Sequence, residues 1–131
     1  MKKKIFLICL IGLFSVASAH AKCDGGTEIK NSVGKTFCQS NIGLNWWSAL
    51  SWCKANGLHL ATMYEMCPSW DGNEGDNKCP ELRGLCGNGM FALSSTAYGN
   101  GDAYRVRCAY GDVLTTPRQD QIWDVLALCT D

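Results

Sequence analysis

Apolar positions recur at helical spacing in one stretch and alternate in others, and this pattern divides the chain into elements. Trp46, Ala49, Leu50 and Cys53 stand at i, i+3, i+4 and i+7, the stripe of an amphipathic helix. Asn45 precedes them as an N-cap, and Gly57 stands where a left-handed residue stops a helix, so a helix is predicted over residues 45–57. Thr62 and Glu65 form a capping box that starts a second, shorter helix, ended by Pro68. Upstream, residues 22–40 place Gly25, Gly26 and Gly34 among short polar segments and read as a β-hairpin. Residues 69–89 are glycine-rich and polar, and are expected to be a long loop held by covalent bonds rather than by a core.

Downstream, residues 90–96 read as a strand, and Tyr98-Gly99-Asn100-Gly101-Asp102 is a strong turn signal. Residues 103–110 alternate: Tyr104, Val106, Cys108 and Tyr110 face one way, Arg105 and Arg107 the other. Gly111-Asp112 then makes a tight hairpin into Val113-Leu114. A polar loop through Pro117 follows, and residues 122–129 form a final strand. The resulting fold class is α+β: two helices packed on a small antiparallel sheet.

The first residues change both the charge and the cysteine count of the mature chain. Lys2, Lys3 and Lys4 precede an apolar run over residues 5–14, and Ala19-His20-Ala21 fits a signal-peptide cleavage site. Residues 1–21 are therefore expected to be a leader and residues 22–131 one exported domain, periplasmic or secreted. The apolar run is about half of the roughly 20 residues a membrane-spanning helix needs, so no stable membrane insertion is expected. Lys22, before Cys23, stands where a lipoprotein signal needs a small residue.

Of nine cysteines, Cys9 would leave with the leader, and an even number in a small exported chain reads as a disulfide framework. The competing reading is a metal site. No pair has C-x-x-C spacing and His59 is the only histidine after the leader, so zinc is a poor fit, and no metal or cofactor is expected. Loss of the three leader lysines leaves nine basic against twelve acidic residues, a net charge of −3. With no basic patch, nucleic acid is excluded as a partner. No nucleophile elbow or phosphate loop appears, and paired cysteines leave no thiol nucleophile, so the chain reads as a binding protein rather than an enzyme.

The pattern Trp46-x-x-Ala49-x-x-x-Cys53, followed by Gly57-x-x-Leu60-Ala61-Thr62, resembles the first-helix signature of C-type lectin-like domains. Ser94-Ser95-Thr96, Ala103-Tyr104-x-Val106 and Gly111-x-Val113 are similar to short bacterial members of that fold. The resemblance implies a bridge from Cys53 to Cys129 on the last strand, and a second, Cys23 to Cys38, closing an N-terminal hairpin. A bond closing a loop as long as the first contributes on the order of 4 kcal/mol. Of the three pairings open to the other four cysteines, Cys67–Cys79 and Cys86–Cys108 are favoured because each joins segments expected to be neighbours.

The family's calcium-dependent sugar site needs a long loop before the late strands, and only residues 97–102 separate them here. Thr116-Pro117-Arg118 lacks the carboxylate–amide pair, and Trp123-Asp124 lacks the intervening Asn. The roughly six to eight oxygens of a calcium site cannot be assembled from these positions.

Several residues remain as candidate ligand contacts. Asp71, Asn73, Glu74 and Asp76 could hold a cation and Trp70 could stack on a sugar, against the plainer reading of a solvated Asx-rich turn. Arg105 and Arg107, with Arg83 in the preceding loop, could meet an anionic ligand, or be a solvated strand face. Trp46 and Trp52 are expected in the core, and Trp47 is expected to point outward. His59 reads as structural or solvent-facing. The expected function is a lectin-like module recognising a glycan or protein surface. The alternative is a structural or assembly component of an envelope or surface appendage.

Overall fold

The computed structural model describes residues 23–87, 90–120 and 124–131, and the expected leader lies outside the described residues. In chain order the elements are β1 (Gly26–Lys30), β2 (Thr36–Gly43), α1 (Trp46–Ala55), β3 (His59–Leu60) and α2 (Met63–Met66). A 3₁₀ turn (Pro80–Leu82) follows, then β4 (Phe91–Tyr98), β5 (Asp102–Arg107), β6 (Asp112–Pro117) and β7 (Val125–Thr130).

Both helices begin on the expected caps. The Asn45 side chain accepts from the Ser48 N–H at 2.8 Å. Thr62 and Glu65 form both bonds of the capping box, so two orphan donors are satisfied within one turn. Gly57 follows α1 at φ +71°, where a Cβ would strain the backbone. The α1 stripe is fully buried at Ala49 and Cys53, while Trp46, Leu50 and Trp52 are partly buried against the same core.

The sheet is α+β in setting but mixed, not purely antiparallel as expected. Its order is β1-β2-β7-β4-β5-β6, with β3 added on β7. β7 is antiparallel to β2 and parallel to β4, with Phe91 opposite Val125 and Leu93 opposite Ala127. The expectation failed because nothing local in the sequence sets the partner of the last strand. β7 enters the middle of the sheet rather than continuing the β4–β5–β6 meander.

Both faces of this centre are covered. Ala92, Tyr104, Val106 and Leu128 pack on one side with Met63, Met66, Trp70 and Leu82. Leu93, Ala103, Val125, Ala127 and Cys129 pack on the other against Ala49 and Cys53 of α1. Every residue of β7 is therefore buried, as a strand between two layers must be. Where β2 bulges between Gln39 and Gly43, the buried Ser40 hydroxyl accepts from Ala127 N–H at 2.9 Å and donates to Ile42 O at 2.8 Å. One side chain thus replaces the ladder bonds that the bulge removes.

Three further expectations need correction. Residues 69–89 are not a loop without a core, because Trp70, Leu82, Cys79 and Cys86 are buried in the first cluster. The polar loop through Pro117 is instead β6, which Pro117 can end because β6 is an edge strand. The strand predicted over residues 103–110 stops at Arg107, leaving Tyr110 exposed in the turn beyond it. The final strand begins at Val125, and residues 122–123 lie outside the described residues.

The cysteines pair Cys23–Cys38, Cys53–Cys129, Cys67–Cys79 and Cys86–Cys108, with Cα atoms 5.2–5.5 Å apart. Four bridges indicate an oxidising compartment. No helix among the described residues is long and apolar enough to cross a membrane.

Candidate functional site

The segment from Trp70 to Cys79 lies over the β5–β6 hairpin and is fastened to it at three points. Gly75 and Val113 exchange both backbone bonds, at 3.0 and 2.9 Å. The Asn77 N–H donates to Asp112 Oδ1 at 2.9 Å, and the Cys79 N–H donates to Gly111 O at 2.8 Å. Asn77 takes φ +51°, a left-handed conformation that Asn tolerates better than most residues.

This fastening brings together a groove of about 510 Å³ lined by Asp76, Asn77, Arg83, Arg107, Tyr110 and Asp112. The Arg107 guanidinium lies 4.8 Å from the centre of the Tyr110 ring, and Tyr110 remains 53% exposed. The ion pairs found among the described residues are His59–Glu65 and Lys78–Asp71. Among the described residues neither Arg83 nor Arg107 has an ion-pair partner. Asp76 and Asp112 add acceptors on the same wall. The groove unites two of the sequence candidates, Asp76 and Arg107, with Arg83.

The remaining candidates lie elsewhere. Trp70 is only 6% exposed, and its indole N–H donates to Asn73 O at 2.9 Å, so it cannot stack on a sugar. The sequence suggested exposure because Trp70 sits among polar residues, yet Met63, Met66 and Tyr104 join it in one core. Asp71 accepts from Lys78 Nζ and from Asn73 N–H at 3.0 Å. Those two contacts, Lys78 first, hold its carboxyl below the ordinary range. Asn73 is exposed and closes this turn through its backbone.

Arg105 does not share a solvated face with Arg107. Its guanidinium sits 4.1 Å over the Phe91 ring, and its buried Nε has no hydrogen-bond partner among the described residues. Burial lowers its pKa while the Asp124 carboxylate opposes the shift. Trp47 is 56% exposed on α1, edge-on to Trp46 at 4.8 Å, and does not line the groove. His59 is exposed and bonds Glu65 at 2.8 Å.

Sequence reasoning missed a second constellation. Tyr64, Trp70, Tyr104 and Tyr98 form a chain of ring contacts at 5.0, 4.8 and 5.4 Å between centroids. Trp70 and Tyr104 are buried, while Tyr64 and Tyr98 are 57% and 47% exposed. The Tyr104 hydroxyl donates to Gly72 O at 3.4 Å. Burial raises the Tyr104 pKa, and the charges of Tyr98, Glu74 and Tyr64 add to the rise. The four rings come from α2, the loop after it, β4 and β5, which no local motif joins. The only sequence signal was a Tyr inside the capping box and another flanking the glycine turn.

Among the described residues, the group with metal-ligand spacing is Cys67, Cys79 and Glu81. Its two cysteines are joined in a disulfide and offer no thiolate, so it is not a metal centre. No family model matches the sequence, and no curated protein matches it at a significant level.

Proposed function

We propose that this protein is an exported, lectin-like binding module that recognises a glycan or glycan-bearing surface without calcium. The observation that carries the reading is the groove between residues 76–77 and the β5–β6 turn. There, two arginines without ion-pair partners among the described residues, two aspartates, one asparagine and an exposed tyrosine ring line one open depression. That set offers both donors and acceptors beside an aromatic ring. It matches vicinal hydroxyls and a carboxylate better than it matches an apolar peptide. The Cys-rich α+β scaffold and the sequence resemblance to C-type lectin-like domains support the same reading at the level of fold, which does not dictate ligand. Calcium is left out because Asp71 is committed to Lys78 and Asn73, leaving too few oxygens for a hard cation.

The test is a glycan-array assay on the oxidised, leader-free protein, with calcium and again with a chelator. Binding that survives chelation and is lost in Arg107→Ala supports the reading. Binding that disappears with the chelator shows that the acidic loop holds a cation after all. Silence in both conditions refutes glycan recognition.

A further inference from the structure

We propose that this chain forms a two-fold symmetric dimer by pairing its open sheet edge, β1, with the β1 of a second copy. The sheet ends in β6 on one side and β1 on the other. At the β6 edge Gly75 is already bonded to Val113, and the strand ends at Pro117, which has no N–H to donate. At the other edge β1 pairs only with β2 among the described residues, and Thr27, Glu28 and Lys30 are exposed. A row of unpaired N–H and C=O groups is a template for another strand.

The β1–β2 hairpin fixes which groups face outward. The Asn31 N–H donates to Lys35 O at 3.0 Å, so the backbone of residue 31 points toward β2. Along an antiparallel strand this direction alternates. Thr27 and Ile29 therefore bond to Gln39 and Phe37, while Glu28 and Lys30, opposite Cys38 and Thr36, turn their N–H and C=O groups outward. The outward N–H groups on either side are engaged, since Gly26 donates to Cys23 O and Ser32 to Glu81 O. An incoming copy must bond at Glu28 and Lys30.

Three antiparallel registers of two such strands bring these outward groups face to face. Two of them set Glu28 against Glu28 or Lys30 against Lys30 of the partner subunit, with like charges directly opposite, which is destabilising. The third sets Glu28 against Lys30 of the partner subunit on both sides of the two-fold axis. Each pair then exchanges both backbone bonds, and its side chains leave the same face with Cβ atoms about 4.5–5.5 Å apart. Neither Glu28 nor Lys30 has an ion-pair partner among the described residues. Charges on an edge strand ordinarily keep copies apart, and like charges here would do so in every register. This opposite pair, two residues apart, repels in two registers and joins in the third. The dimer goes beyond the groove reading and stands whether or not the groove binds a glycan. The groove lies by the β5–β6 turn, at the far end of the sheet, so pairing leaves both copies of it open and makes the protein bivalent.

A contact this short falls well below the area of a stable dimer, so the association is weak and is read at high concentration. The experiment is sedimentation velocity and backbone-amide NMR on the oxidised, leader-free protein, over a dilution series that starts in the millimolar range. The sedimentation coefficient should rise with concentration while the amides of Glu28, Ile29 and Lys30 shift, and added salt should weaken both responses. Glu28→Lys and Lys30→Glu should each weaken association by about 10-fold or more, because every facing pair becomes like-charged. An equimolar mixture of those two variants restores opposite charges at both pairs and should associate as the unaltered protein does. Both side chains are exposed, so the variants keep the fold, and unchanged amide shifts elsewhere verify this. A monomer throughout the series overturns the proposal and leaves the β1 edge to a strand from another protein. A dimer whose shifts lie elsewhere, one that both variants leave intact, or a variant mixture that stays monomeric overturns it as well.

Discussion

Gly111 sits where two separate demands on a glycine coincide, and three alanine substitutions can separate them. At Gly99, φ is +58° and a Cβ would meet nothing within 4 Å. Gly99→Ala should therefore cost only the left-handed strain, about 1–2 kcal/mol. At Gly26 the φ is ordinary, but a Cβ would lie 2.5 Å from Gln39 O and 2.9 Å from the Trp52 ring. Gly26→Ala should cost only the overlap, about 1–3 kcal/mol. At Gly111, φ is +74° and a Cβ would lie 2.6 Å from Cys79 O. That carbonyl cannot swing aside, because Cys79 is bridged to Cys67 and its N–H is bound to Gly111 itself. Gly111→Ala should incur both costs, about 2–5 kcal/mol. The assay is guanidinium unfolding under non-reducing conditions, followed by tryptophan fluorescence, with the m-value checked for constancy. A cost for Gly111→Ala within about 0.5 kcal/mol of that for Gly99→Ala, well below the overlap cost, would refute this reasoning. Residues 75–79 would then not be rigidly seated on the hairpin, and the groove would not be held in shape.

Trp70→Ala should cost about 3–5 kcal/mol as a core truncation, while Trp47→Ala should cost under about 1 kcal/mol as loss of one exposed edge contact. Comparable losses in denaturant melts would refute the burial assigned to Trp70. Burial alone would raise the Glu65 pKa, but the Thr62 N–H, the Thr62 hydroxyl and His59 together hold it below the ordinary 4.5. A carboxyl with a depressed folded-state pKa stabilises above its unfolded value and loses that stability as pH falls through the folded one. Stability should thus decline below about pH 4.5, and Glu65→Gln should flatten that part of a thermal-melt pH series. Replacing Cys53 and Cys129 by alanine opens a separation of 76 residues, and replacing Cys67 and Cys79 one of 12. In the chain-entropy model the losses are about 4.5 and about 2.8 kcal/mol, and a reversed order in urea melts would show that native contacts outweigh loop closure.

What could be read from the sequence was local. Asn45, Thr62 and Glu65 cap their helices because capping depends on residues three apart. The β4–β5 and β5–β6 turns follow from Gly99, Gly101 and Gly111 for the same reason. What could not be read was any choice made between distant segments. Nothing near residue 125 announces that β7 will lie parallel to β4. Without that placement, Ala103 and Leu93 cannot be seen to face a second core. Arg105 fell to the same limit, since strict alternation puts it beside Arg107 but gives no hint of the Phe91 ring beneath it. Trp70 looked like a surface residue because its neighbours in sequence are polar, whereas its neighbours in space are not. For the groove, Asp76, Arg83 and Arg107 were each visible as candidates, but Tyr110 was assigned to the buried face of a strand that ends before reaching it.

The nesting of the bridges bears on how the chain must be oxidised. Cys53 closes on Cys129 around both Cys67–Cys79 and Cys86–Cys108. A thiol oxidase that joined cysteines in chain order from Cys23 onward would make Cys23–Cys38 correctly. It would then couple Cys53 with Cys67, Cys79 with Cys86 and Cys108 with Cys129, three non-native bonds out of four. Cys53 must wait as a thiol, or be released by exchange through a mixed disulfide, until β7 arrives. We therefore expect maturation to depend on a disulfide isomerase. Non-reducing peptide maps from cells lacking that activity should accumulate these sequential pairs, and a native map from such cells would show that folding precedes oxidation.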